Sequence, residues 1–239
     1  MTSLELTIPV LNEEASLRRN VLIVKDFFLE HCPELVAWSI VIADNGSTDR
    51  TGEIAESLAA EYPGQVKYLR VDRKGVGLAL KHSWSHSDAD VVGYMDLDLA
   101  TDLKHLLTVF DVFQTNSADI IYGSRLHKDS QVIGRRPFRE FTSRMFNLVL
   151  SIYLKCHFSD GMCGFKFLKR SHLKEILERG AVSDGWFFCT EILVVSEWMG
   201  LNLFELPVKW VDDPDSKVKV GRLTLEYLSA MKSLKQHEH

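Results

Sequence analysis

The chain has 239 residues, 46% hydrophobic and 26% charged, and 28 Lys and Arg stand against 33 Asp and Glu for a net charge of −5. That is enough chain for one large α/β domain, and no linker, low-complexity tract or internal repeat divides it. The acidic balance excludes a general nucleic-acid binder, no secretory signal opens the chain, and no run of about 18 apolar residues encodes a membrane span.

Residues 4–10, LELTIPV, read as a strand, after which Asn12 is expected to cap a helix with Glu13 and Glu14 in its first turn. WSIVIAD (38–44) is a second strand, and NGST places Ser47 or Thr48 as the cap of a helix that runs to about Tyr62. VKYLRV (66–71) is the third strand. Gly75 and Gly77 then stand just before a helix, where small residues let the backbone approach either a phosphate or another chain segment. Val91 to Met95 is a short apolar run, the pattern of a strand buried in a parallel sheet, and it delivers Asp96 and Asp98 at its end. A helix from Leu103 to Gln114, capped by Thr101, and a strand 119–123 follow.

The second half changes character. Residues 134–155 open with Arg135, Arg136, Arg139 and Arg144 and become an apolar helix, which suits either an anionic membrane interface or a core helix with a solvated basic end. Residues 159–170 read as a loop and a strand, 184–200 as mostly helix, 201–211 as one strand, and 223–235 as an amphipathic helix. Glu191 falls on an apolar helical face, so it either pairs with an arginine or faces a site. Cys32, Cys156, Cys163 and Cys189 lack metal or disulfide spacing and are expected to be reduced core thiols of a cytosolic protein.

Alternating strands and helices predict a mostly parallel sheet with helices on both faces, and such sheets bind ligands beyond the carboxyl ends of their strands. Asn12, Glu13, Asp44, Asn45, Asp96, Asp98 and Arg125 all follow predicted strands, so one crevice would collect them. Residues two apart in a strand share a face, which crowds the Asp96 and Asp98 carboxylates. Mg²⁺ or Mn²⁺ holding a diphosphate relieves that crowding, and the competing reading is that Asp98 only caps the next helix. The GxGxxG fingerprint is missing from the first strand-to-helix turn, which argues against an NAD enzyme.

In TIPVLNEEASL, IVIADNGSTDRT, KGVGLALK, MDLDLATD, YGSR, the RxxxS of Arg139 to Ser143, DGMCGFK, FFCTEIL and VDDPDSKV, the chain resembles glycosyltransferase family 2, which has the GT-A fold, and within it the dolichyl-phosphate mannose and glucose synthases. The resemblance implies a single catalytic domain over 1–239, with a nucleotide-sugar half at 1–125 and an acceptor half at 126–239. It implies that Pro9, Leu11 and Glu13 line the nucleoside pocket, that Asp44 contacts the base, and that Asp96 and Asp98 form the DxD motif binding metal and diphosphate. Arg125, Arg139 and Ser143 match positions associated with the acceptor phosphate, Lys217 a mobile loop over the site, and Glu191 an acidic position beside the reaction centre. The implied reaction is metal-dependent, inverting transfer of a hexose from a UDP-glucose or GDP-mannose type donor to a polyprenyl or dolichyl phosphate. The helix 136–155 would contact the cytoplasmic face of a membrane, directly or through a partner. Two other readings are a family 2 enzyme acting on a hydroxyl, with Glu191 as base, and a nonenzymatic nucleotide-sugar-binding subunit.

Overall fold

Strand β1 (Thr2–Val10) sets the frame by alternation. Leu4, Leu6, Ile8 and Val10 are buried in one apolar core, whereas Glu5 and Thr7 are buried on the other side of the sheet. There Thr7 accepts a hydrogen bond from Trp84 Nε1 (3.1 Å), and Glu5 accepts one from Ser83 (3.1 Å) and pairs with Lys67 (3.2 Å). Polar residues inside a sheet are tolerated because every one is partnered.

This computed structural model describes residues 2–32, 36–212 and 220–238. After β1 come α1 (Leu17–His31), β2 (Val36–Asp44), α2 (Thr51–Glu61), β3 (Val66–Arg70), α3 (Val76–Ser85), β4 (Val91–Met95), α4 (His105–Gln114) and β5 (Ile120–Ser124). The second half adds β6 (Gln131–Ile133), α5 (Pro137–Leu154), β7 (Phe165–Lys169), α6 (Leu173–Glu178), α7 (Phe188–Trp198), β8 (Leu203–Pro207), β9 (Lys209–Val211) and α8 (Val220–Lys235). Seven strands form one sheet in the order β3-β2-β1-β4-β7-β5-β8, and β6 pairs with β9 in a small second sheet. All pairings in the large sheet are parallel except those of β7, which runs antiparallel to β4 and β5. The predicted mostly parallel sheet is borne out. Helices α1, α2 and α4 pack against one face and α3, α5, α6, α7 and α8 against the other.

The structure corrects several element boundaries. Asn12 does not cap α1, which begins at Leu17; it sits in the left-handed region (φ 57°), and its side chain accepts from Thr48 N–H (2.8 Å). Ser47 and Thr48 do not cap α2 either, since that helix starts at Thr51, and Ser47 Oγ instead accepts from Asn12 N–H (3.0 Å). Thr101 likewise stands four residues before α4 and bridges to Trp210. At Asn12, Ser47 and Thr48 a side chain able to cap a helix ties two neighbouring loops together, which competes with capping, whereas Thr101 is held through its backbone bridge. The single strand expected over 201–211 splits at Val208, because β8 follows β5 only as far as Ser124 and the chain then turns to pair with β6.

Candidate active site

The parallel register brings the carboxyl ends of β1, β2, β4 and β5 to one edge, and the antiparallel β7 begins there, with Phe165 opposite Met95. Pro9, Leu11, Glu13, Asp44, Asp96, Asp98 and Arg125 therefore gather along this edge. Pro9 is buried past the last β1–β4 partner, Thr7, where its missing N–H costs no ladder bond. Leu11 and Glu13 are half-buried, and Glu13 N–H is fixed by Thr51 Oγ1 (2.7 Å).

Asp44 is fully buried. Ser47 N–H donates to its Oδ1 (2.8 Å), while Tyr68 Oη (3.2 Å) and Arg70 Nη1 (3.3 Å) hold its Oδ2. An open cleft of about 520 Å³ lies against this network, lined by Ser47, Gly52, Tyr68 and Arg70. A ligand in that cleft meets Tyr68 and Arg70 before Asp44.

At the end of β4, Asp96 N–H donates to the carbonyl of Gly164 (3.3 Å), and a Cβ at Gly164 would collide with Asp96 Oδ2. Only glycine lets the loop before β7 close on this carboxylate. Asp96 Oδ1 is buried and has no hydrogen-bond partner, and burial together with the Asp98 charge pushes the Asp96 carboxyl up to about 7. Asp98 is exposed, and its Oδ1 accepts from Ala100 N–H (3.0 Å) in a local turn where Leu99 is left-handed (φ 56°), so Asp98 caps no helix. Among the described residues no group of three or more His, Cys, Asp and Glu side chains could hold a metal alone. Two carboxylates, one bearing an orphaned buried oxygen, fit a divalent cation, whose other ligands would have to come from water and phosphate oxygens.

Arg125 is half of a buried ion pair rather than a free phosphate ligand. Its Nε and Nη2 donate to Asp160 at 2.8 and 3.0 Å, its guanidinium lies 4.9 Å over the Trp210 ring, and its side chain is 8% exposed. Burial works against the Asp160 charge, but Arg125 overcomes it and brings the carboxyl down to about 2. Asp160 and Gly164 belong to one loop, so Arg125 and Asp96 are held by the same short segment. Arg139 is partly exposed, with Nη1 3.5 Å from Asp212 Oδ1, and Ser143 lies one helical turn further along α5. Lys217 lies outside the described residues.

Among the described residues Glu191 is paired with no arginine. Both of its oxygens accept from Ser183, one from N–H (2.8 Å) and one from Oγ (2.5 Å). Burial raises its pKa despite those bonds. The anchored loop also presents Asp184 to Arg73 (2.9 Å) and Lys81 (2.8 Å), and its carbonyls occupy the space that side chains at positions 75 and 77 would need. Gly75 and Gly77 thus admit a chain segment. The sequence assigned no role to Asp160, Gly164 or Asp212, although the strings DGMCGFK and VDDPDSKV contain them.

The profile of glycosyl transferase family 2 matches residues 6–177. The chain is 32% identical to glycosyltransferase AglD of Haloferax volcanii over 215 residues, which is 90% of this chain and 34% of that protein. It is 28% identical to dolichyl-phosphate beta-glucosyltransferase ALG5C of Trichomonas vaginalis over 190 residues, 77% of this chain and 56% of the relative. The chain therefore spans about a third and about half of the length of these relatives. Among solved structures, glucosyl-3-phosphoglycerate synthase of Mycobacterium tuberculosis, crystallised with Mn²⁺, UDP and glucosyl-3-phosphoglycerate, superposes with a TM-score of 0.67 at 14% identity, covering 99% of this chain and 80% of that one. The fold is the GT-A fold expected from the sequence.

Proposed function

Because the chain belongs to glycosyl transferase family 2, we propose that it transfers a hexose from a nucleotide sugar of the UDP-glucose or GDP-mannose type to a polyprenyl or dolichyl phosphate, with inversion. The observation that carries this reading is the joining of two features by the 160–164 loop: the crowded Asp96 and Asp98 carboxylates, and an arginine-rich cluster at the root of an apolar helix. The names of the Trichomonas relative and the Mn²⁺ and UDP in the Mycobacterium enzyme support it.

Asp96 and Asp98 would hold Mg²⁺ or Mn²⁺, which supplies charge neutralisation for the departing diphosphate. Pro9, Leu11, Glu13 and Asp44, with Tyr68 and Arg70, form the nucleoside end. A phosphomonoester has its second pKa at about 6 and is already largely ionised at neutral pH, so the acceptor needs positioning rather than a base. Arg139 and Ser143 on α5 do that positioning, Arg125 and Asp160 hold the loop beneath them, and Lys217, outside the described residues, is assigned to the acceptor phosphate. Glu191 acts by fixing the 182–184 loop. With both oxygens already engaged, it is poorly placed to be the base of a hydroxyl-acceptor enzyme.

Helix α5 buries only Asn147, Leu150 and Leu154, while Phe138, Phe141, Met145, Leu148, Val149 and Ile152 are exposed, Phe138 by 73% and Ile152 by 72%. Their spacing makes one stripe along the helix. We assign that stripe to a membrane surface, where an isoprenoid tail would lie; no helix among the described residues is long and apolar enough to cross a membrane. The test is transfer of radiolabelled sugar from UDP-glucose and from GDP-mannose to a short polyprenyl phosphate, with and without EDTA. An EDTA-sensitive, solvent-extractable sugar lipid is the expected product. No product from either donor, with nucleotide binding intact, overturns the acceptor assignment.

A further inference from the structure

The ladder between β6 and β9 ends where Asp212 N–H donates to the Ile133 carbonyl (2.9 Å), and Gly134, with φ +78°, turns the chain away beside Asp212. The next residue is Arg135. Its side chain is 6% exposed, and Nε, Nη1 and Nη2 are all buried without a hydrogen-bond partner. Glu140 Oε2 comes to 2.8 Å of Nε but out of line with the N–H, so it offsets charge without accepting the proton, and Glu140 is shared with Arg144 (2.6 Å). Arg125 is taken by Asp160, and Asp212 Oδ1 is taken by Trp210 Nε1 (2.8 Å) and approached by Arg139. Asp212 Oδ2 is the other unpartnered atom of the cluster. Among the described residues four arginines thus meet three carboxylates, and the donors left over belong to Arg135.

A buried guanidinium with no acceptor is costly, and its planar fork matches the oxygens of a phosphate. We propose that Arg135 is a phosphate-binding residue that receives the phosphomonoester of the lipid acceptor, a role additional to those of Arg139 and Ser143. The inference rests on the acceptor reading above. The acceptor is favoured over the donor diphosphate because Arg135 stands three residues before Phe138, where the exposed apolar stripe of α5 begins, while the diphosphate has the Asp96 and Asp98 pair. The headgroup would then sit at the root of the helix along which its tail lies.

The experiment compares wild type, Arg135→Gln and Arg135→Lys in three measurements: calorimetric binding of citronellyl phosphate, calorimetric binding of UDP or GDP with Mn²⁺, and steady-state transfer. For Arg135→Gln, acceptor affinity should fall about tenfold or more and acceptor KM should rise to match, with nucleotide binding unchanged. Arg135→Lys keeps a cation but loses the fork and should recover only part of the loss. It also serves as the reporter should the glutamine variant fail to fold. An equal loss of nucleotide affinity would move the phosphate to the donor and overturn the assignment. So would a lowered Tm with wild-type acceptor affinity, the result expected if Arg135 and Asp212 merely share a water. Should wild type bind citronellyl phosphate through Arg135 yet transfer no sugar, the enzymatic reading fails and the site stands. Transfer with a wild-type acceptor KM in both variants refutes the site alone, and wild type that neither binds nor transfers refutes both.

Discussion

Asp96 carries the largest electrostatic burden of the candidate site. Its carboxyl titrates at about 7, well above the ordinary value of about 3.9, because burial and the Asp98 charge both oppose ionisation. The raised pKa means that this group costs stability above pH 7 and that the cost fades as pH falls toward 4. A proton and a metal compete for the same oxygens, so apparent Mn²⁺ affinity should fall by about tenfold per pH unit below pH 7. Calorimetry across that range checks it, and a flat profile would place the metal elsewhere. Asp96→Asn should abolish Mn²⁺ binding yet raise Tm at pH 8, since it removes a charge that the fold disfavours. Asp160 has the opposite sign. Its carboxyl is held down at about 2, so its stabilising charge is present above pH 4 and is lost as pH falls toward 2. Asp160→Asn leaves Arg125 buried without its counter-charge and should cost about 3–5 kcal/mol in chemical denaturation. A cost below 1 kcal/mol would show that solvent reaches Arg125.

Helices α5 and α7 do different work. Residues 188–196 of α7 are all buried, as befits a core helix, whereas α5 rests one side on Tyr227 of α8 through Phe146 (5.4 Å between rings) and leaves its stripe bare. Pro137 at the first turn and Lys155 in the left-handed region (φ 52°) bound α5, so its length is fixed by its own sequence. Glutamates at Leu148 and Ile152 replace exposed residues and should leave Tm within a few degrees of wild type while releasing the protein from anionic vesicles. Unfolding of this double variant would show that the stripe is covered by protein instead.

Across the whole molecule, a net charge of −5 is combined with Arg136, Arg139 and Arg144 clustered at the start of one helix. An acidic protein binds an acidic membrane only if such local charge faces it. Vesicle binding should therefore weaken as salt shortens the Debye length from about 10 Å at 0.1 M to about 3 Å at 1 M. Flotation assays at the two salt concentrations read this directly, and salt-independent binding would leave the apolar stripe as the sole anchor. The seven-stranded sheet also joins the two halves of the chain, since β7 from the second half is inserted between β4 and β5 from the first.

Strand and helix order was legible in the sequence because period-2 and helical patterns are local. So was the gathering of Glu13, Asp44, Asp96, Asp98 and Arg125 on one edge, which follows from parallel strands ending together. Helix starts were misread at Asn12 and Ser47, where a side chain able to cap a helix bonds to a loop distant in sequence, and at Thr101, which a backbone bridge ties to Trp210. The same limit hid the partners of charged groups. No spacing rule links Arg125 to Asp160, Glu191 to Ser183, or Gly164 to Asp96, for each pair meets only after β7 enters the sheet or α7 packs on it. The sequence left open whether α5 is core or interface, and tertiary packing decided that α7 is core while one side of α5 stays bare. Pairwise contact, not residue type, determines which arginine is neutralised and which is left with free donors.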